Sequence, residues 1–189
     1  MTHLGASCLD RCVLSAAAGV ATISRDVPES ASGIIALDAI ESPIVKQGLA
    51  YWTALKGERD WPTRADMSPK DIAPLLRNIV LLRRTEDHDY EFRIVGDAHV
   101  ISHGFSMQGL KVSGVDQISP GYGTVLKSLY DHVIHRQAPF AFRGWMERGG
   151  KVKQYIYSES VFMPLGPDAH TIDHVLNFSV YIPRDRFDG

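Results

Sequence analysis

A chain of 189 residues with 44% hydrophobic and 22% charged residues has the make-up of one globular domain plus an extension. Its formal net charge of −2 lacks the basic footprint of a nucleic-acid binder. No apolar run approaches the roughly 18 residues that span a bilayer, so neither nucleic acid nor membrane is expected as a partner.

Residues 1–41 read as a poorly defined N-terminal extension: Met1 to about Ser32 is Ala/Ser-rich, without a sustained apolar period, and contains a linker-like Ser24 to Ser30 stretch. Cys8 and Cys12, the only cysteines, lie here. No second Cys or His pair completes a zinc signature, so they read as free thiols of a reduced cytoplasm. Cys12 to Ile23 imitates the apolar part of a signal peptide, but Asp10-Arg11 is a poor basic start and no cleavage signal follows. A cytoplasmic location is therefore expected.

Residues 42–189 carry the logic of a folded domain. Ser42-Pro43 is a helix start, since proline lacks an N–H that would be orphaned there anyway, and Gly57 is a helix stop. Ile44, Gly48, Trp52 and Leu55 form one stripe on this helix. A second helix is expected from Ser68-Pro69, with Ile72, Leu75 and Leu76 as its apolar side. Ile79–Leu82 and Tyr90–Val95 then read as a hairpin, with Tyr90, Phe92 and Ile94 sharing a face. Gly96 to Gly114 reads as short helices and loops. The longest helix, about Gly121 to Gln137, centres its apolar face on Val125, Leu126, Leu129 and Val133. Three strands follow: Phe140 to Glu147, Lys153 to Pro164 and Asp173 to Pro183, separated by turns at Arg148-Gly149-Gly150 and Gly166-Pro167-Asp168.

This α+β order is similar to a PAS domain, a five-stranded antiparallel sheet with helices on one face, here with N-terminal helices added. A closer resemblance, to a proteobacterial PAS-like family of single-domain proteins, covers about Leu49 to Pro183. It rests on Tyr51-Trp52-Thr53-Ala54-Leu55-Lys56-Gly57 with Arg59, Pro62, Arg64-Ala65-Asp66 and Pro69. Phe92-Arg93-Ile94-Val95-Gly96, His103-Gly104-Phe105 and Met163-Pro164-Leu165 extend it. The resemblance implies a sensory or regulatory module that binds a small molecule or a protein partner; it names no ligand. Flavin-binding light sensors of this superfamily carry a reactive cysteine in the short-helix region, and Gly96 to Gly114 has none, so that photochemistry is not expected. No kinase, cyclase or DNA-binding segment follows the last strand, so a signal is expected to leave through contacts with another chain.

On this reading the ligand pocket lies between the sheet and the helices of 96–137, lined by Phe92, Ile94, Val100, His103, Phe105, Leu110, Val125, Leu129, Phe142 and Phe162. A homodimer is expected through the first helix, by Ile44, Leu49, Trp52 and Leu55. Arg59, Arg64 and Asp66 read as a hydrogen-bonded set that docks the N-terminal helices, or as an anion site through the two guanidinium groups. Haem-binding PAS domains use a histidine of the long helix. At about 100° per residue, however, His132 falls on the flank of that helix and His135 on its outside, so haem is not expected. His99 and His103 are spaced to share a helix face, but with only Asp97 nearby no metal is expected. No catalytic set stands out. A small enzyme would need a deep pocket where His103 meets Asp97 or Glu159, and a ligand-free structural adaptor would have a filled core.

Overall fold

The computed structural model describes residues 33–148 and 154–182. Cys8, Cys12 and the turn at 149–150 lie outside the described residues. Six antiparallel strands form one sheet: β1 (Gly33–Ile35), β2 (Ile79–Arg84), β3 (Tyr90–Val95), β4 (Phe140–Arg148), β5 (Gln154–Leu165) and β6 (His174–Ile182), in the order β1-β4-β5-β6-β2-β3. The helices are α1 (Pro43–Lys56), α2 (Asp97–His103), α3 (Val112–Ile118) and α4 (Tyr122–Arg136). The five expected strands stand in one sheet, and α2 to α4 cover one of its faces. β1 is a sixth strand, pairing Ile34 with Phe142 at the edge. Ile40 is also fully buried, so the folded unit reaches back to Gly33 and the expected boundary at 41/42 falls inside it.

Strand alternation divides the core in two. Val80, Leu82, Phe92, Phe140, Phe162 and Val175 face α3 and α4. Ile79, Leu81, Val161, Met163, Leu176 and Phe178 face the other way and pack under α1. Both faces of the sheet are therefore covered, and each fully buried aliphatic or aromatic side chain contributes roughly 1.5–3 kcal/mol.

The sequence signals of α1 act as read: the Ser42 hydroxyl accepts from the Val45 N–H, Pro43 opens the helix, and Gly57 closes it at φ 53°. Its buried residues are Val45, Gly48 and Trp52. Trp52 is 3% exposed, and its indole N–H donates to the Pro164 carbonyl of β5 (2.8 Å). Ile44, Leu49 and Leu55 lean half-buried on the same core. The stripe expected to seek a second copy is thus taken up by this chain's own sheet. Gly48 permits the approach, because a Cβ there would collide with the Phe178 ring.

Glu159, 4% exposed on this same face, anchors the start of α1. Its carboxylate accepts from the backbone N–H groups of Glu41 (3.1 Å) and Ser42 (2.6 Å) and from Arg143 Nε (2.9 Å) and Nη2 (2.6 Å). An anion at a helix N-terminus, paired with a guanidinium, suits both the helix dipole and the burial.

Two further expectations are corrected. The segment from Ser68 folds as a turn followed by a 3₁₀ helix over Ala73–Asn78, with Pro74 in its first turn and Leu76 37% exposed, rather than as an α-helix. Between Leu81 and Leu82 the β2–β3 register steps by one, so that Leu81 opposes Ile94 while Leu82 opposes Phe92, leaving Arg93 as the extra residue of a bulge. One inserted residue exchanges the faces beyond it. Phe92 stays with α3 and α4, and Ile94 joins the α1 side.

Candidate functional site

Two concavities stand out. An open groove of about 540 Å³ at the β2–β3 hairpin is lined by Arg83, Arg84, Glu86, Asp87, Glu91 and Lys111. Its charges largely neutralise one another, through Arg83–Glu91 (2.7 Å) and Lys111–Asp87 (2.7 Å), so it presents no dominant sign to a ligand. The second is a small cavity of about 20 Å³ between β5, β6, α2 and α4. Size favours the groove, but chemistry favours the cavity, because its polar lining is buried where an apolar core would be the ordinary solution.

The sheet floor comes from alternate residues of two neighbouring strands. Ser160 of β5 and Asn177, Ser179 and Tyr181 of β6 point to the α4 side, while Val161, Phe178 and Val180 point to α1. Ser160 and Ser179 lie opposite each other in the β5–β6 register, which brings their hydroxyls to 2.6 Å. Ser179 donates to Asn177 Oδ1 (3.0 Å), leaving Ser160 to donate to Ser179, and Asn177 Nδ2 donates to the Val161 carbonyl (3.0 Å).

The roof is made by α2 and α4. His99 and His103, one turn apart on α2, are 2% and 5% exposed, with near-parallel rings whose centroids are 6.4 Å apart. Backbone carbonyls fix both tautomers. His99 Nε2–H donates to the Asn78 carbonyl (3.0 Å), so its Nδ1 accepts from the Tyr181 hydroxyl (2.6 Å). His103 Nδ1–H donates to the His99 carbonyl (2.7 Å), and its Nε2 is hydrogen-bonded to the Tyr122 hydroxyl (2.6 Å). Both nitrogens of each ring are thus engaged in hydrogen bonds. Burial holds the His99 pKa down to about 4, and it raises the phenols of Tyr122, Tyr130 and Tyr181. Tyr130 is a buried residue lining the cavity, and among the described residues its hydroxyl has no hydrogen-bond partner.

Of the residues expected to line a pocket, Phe92, His103 and Phe162 do so. Leu129 and Phe142 are buried in the core beside it, and Phe105 sets its ring edge against His103 at 6.4 Å. Val100 is half-buried on α2, and its carbonyl caps that helix by accepting from Gly104. Half-buried Leu110 runs along β3, its carbonyl accepting from the Phe92 N–H (3.0 Å). Val125 is 36% exposed, and Ile94 lies across the sheet. His99, weighed in the sequence only beside His103, joins the lining, as do Tyr122, Tyr130, Ser160, Asn177, Ser179 and Tyr181, which the sequence reading does not single out. A signal was present: Asn177, Ser179 and Tyr181 alternate with Leu176, Phe178 and Val180, placing three polar side chains on one face of a central strand.

The other candidates separate from the cavity. Asp97 is exposed, and Glu159 is on the α1 face, so neither converges on His103 as a catalytic pair would. His132 sets its ring against Phe140 (centroids 4.7 Å), and exposed His135 donates to the Asp131 carbonyl (2.7 Å); neither lines the cavity. Arg59 donates to the Leu55 carbonyl (2.7 Å) and pairs with Asp66 (2.9 Å). Asp66 in turn forms a capping box with Thr63, tying the end of α1 to the following turn. Half-buried Arg64 opens that turn.

No curated protein matches this chain. A family model described as PAS domain matches residues 40–179, nearly the whole described unit from Ile40 to Ser179. The chain belongs to the PAS domain family.

Proposed function

We propose that this PAS domain is a sensory or regulatory module that binds a small molecule or a protein partner, takes its input at the cavity between β5–β6 and α2–α4, and signals through protein–protein contacts. The observation that carries the reading is the His99–Tyr181 and His103–Tyr122 pair of hydrogen bonds over a floor of Ser160, Asn177 and Ser179. Such a network gains little net stability over a packed apolar core, and any half-satisfied member destabilises the fold. It also bridges the last strand to α2 and α4, so a change in its bonding alters how those elements sit on the sheet. The family's general role as sensory and regulatory modules agrees with this.

A second reading, a ligand-free adaptor that recognises only a protein, is favoured by the cavity's size, since about 20 Å³ admits little beyond one water. Native mass spectrometry of the freshly purified full chain, followed by a thermal-shift screen of metabolites, separates the two. A ligand present at one hundred times its Kd adds about 2.7 kcal/mol, or roughly 5–10 °C in Tm for a domain of this size. The sensor reading expects such a shift, abolished by Ser160→Val. The adaptor reading expects no compound to move Tm.

A further inference from the structure

The cavity's lining specifies a charge class of ligand. It includes His99, His103, Tyr122, Tyr130, Ser160, Asn177, Ser179 and Tyr181, and no Asp, Glu, Lys or Arg. Each imidazole turns one nitrogen to a backbone carbonyl and the other to a phenol, so no ring nitrogen is left to pair with a charged group, and burial keeps His99 neutral at pH 7. An anion would find no cation there, and a cation no carboxylate, so either would enter stripped of water and uncompensated. A neutral polar group meets a different environment. Tyr130 is 3% exposed as a residue, and its hydroxyl, without a partner among the described residues, can donate or accept. Asn177 has a second amide N–H beyond the one given to Val161, and the Ser160 oxygen keeps acceptor capacity.

We propose that this site recognises an uncharged, hydrogen-bonding group, such as an amide, carbonyl or alcohol, and discriminates against carboxylates and ammonium ions. The proposal rests on the sensor reading and adds to it the chemistry of the ligand. The part of the ligand that enters the cavity is small, of about one or two heavy atoms, because the volume of about 20 Å³ is little more than a water requires. Tyr130 acts in this as a binding residue, not merely as a core aromatic.

The test uses the full chain labelled with ¹⁵N and ¹³C, titrated at pH 7.5 with four probes: formamide, methanol, formate and methylammonium. Formamide and formate match in shape and differ in charge. The expected result is saturable shifts of the His99 and His103 ring signals with formamide and methanol, and affinities about tenfold or more weaker for formate and methylammonium. Tyr130→Phe, checked for an unchanged backbone spectrum, weakens formamide about three- to tenfold. A Tyr130→Phe protein that binds formamide unchanged overturns the assignment of that hydroxyl. Formate binding as well as formamide overturns the charge class while leaving the sensor reading intact. Absence of saturable shifts with all four probes also overturns the proposal, and the metabolite screen, which does not depend on ligand charge, then decides the sensor reading by itself.

Discussion

His99 makes the stability of this domain depend on pH in a way that can be worked out from its surroundings. The ring is almost wholly buried, its Nε2–H is committed to the Asn78 carbonyl, and its Nδ1 accepts from Tyr181. Protonation would bury a charge and oblige the Tyr181 hydroxyl to turn from donor to acceptor. Burial accordingly lowers the pKa from 6.5 to about 4. A depressed histidine pKa means that the unfolded chain binds the proton first as pH falls. Stability is therefore complete above about pH 6.5, declines as pH drops toward 4, and levels off below that. The full shift is worth about 3 kcal/mol, and the part lost between pH 7 and 5 is about 2 kcal/mol. Urea unfolding of the wild type and of His99→Gln at both pH values isolates this contribution, because the other titrating groups are common to both proteins. The wild type is expected to lose about 2 kcal/mol more than the variant over that interval. Equal losses in the two proteins would refute the argument.

The α1 face gives three further predictions. Trp52→Ala removes a buried indole and its bond to Pro164, and should cost about 3–5 kcal/mol in urea unfolding; an unchanged midpoint contradicts the docking of α1 on the sheet. Gly48→Ala gains about 1 kcal/mol of helix propensity but forces a methyl into the Phe178 ring, where overpacking costs about 1–3 kcal/mol, so net destabilisation is expected and a gain in Tm contradicts it. Arg143→Ala leaves the buried Glu159 carboxylate without its cation and should destabilise the domain by about 3 kcal/mol; a loss below about 1 kcal/mol, typical of an exposed pair, would count against this pair's structural role.

The parts of this fold that could be read from sequence are those whose signals are local. Ser42-Pro43 and Gly57 mark the ends of α1, Tyr90–Val95 matches β3 residue for residue, and the apolar period near Leu126, Leu129 and Val133 gives α4. What escaped depends on partners distant in the chain. β1 is three residues long, too short to show a period, and exists because it pairs with β4 more than a hundred residues later. The Arg93 bulge is a property of how β2 and β3 meet, so simple alternation put Ile94 on the wrong face. Trp52 and its neighbours read as a stripe in need of cover, but the sequence of α1 does not tell whether that cover is the chain's own sheet or another copy. The candidate site followed the same rule. The residues expected to line a pocket are mostly apolar, and of them Phe92, Phe162 and the one polar member, His103, line the cavity. The polar lining becomes a site only when β5, β6, α2 and α4 bring Ser160, Tyr181, His99 and Tyr122 together.

The histidine–tyrosine network is tested most directly by long-range ¹⁵N–¹H NMR of the histidine rings in the full chain at pH 7. The expected spectrum has His99 as the Nε2–H tautomer and His103 as the Nδ1–H tautomer, each slow to exchange with solvent and, for His99, unchanged down to about pH 5. Averaged tautomers, or an imidazolium signature for His99 near pH 6, would mean that the rings are not held by Asn78, Tyr181 and Tyr122, and the assignment of this cavity as the input site would fall with them.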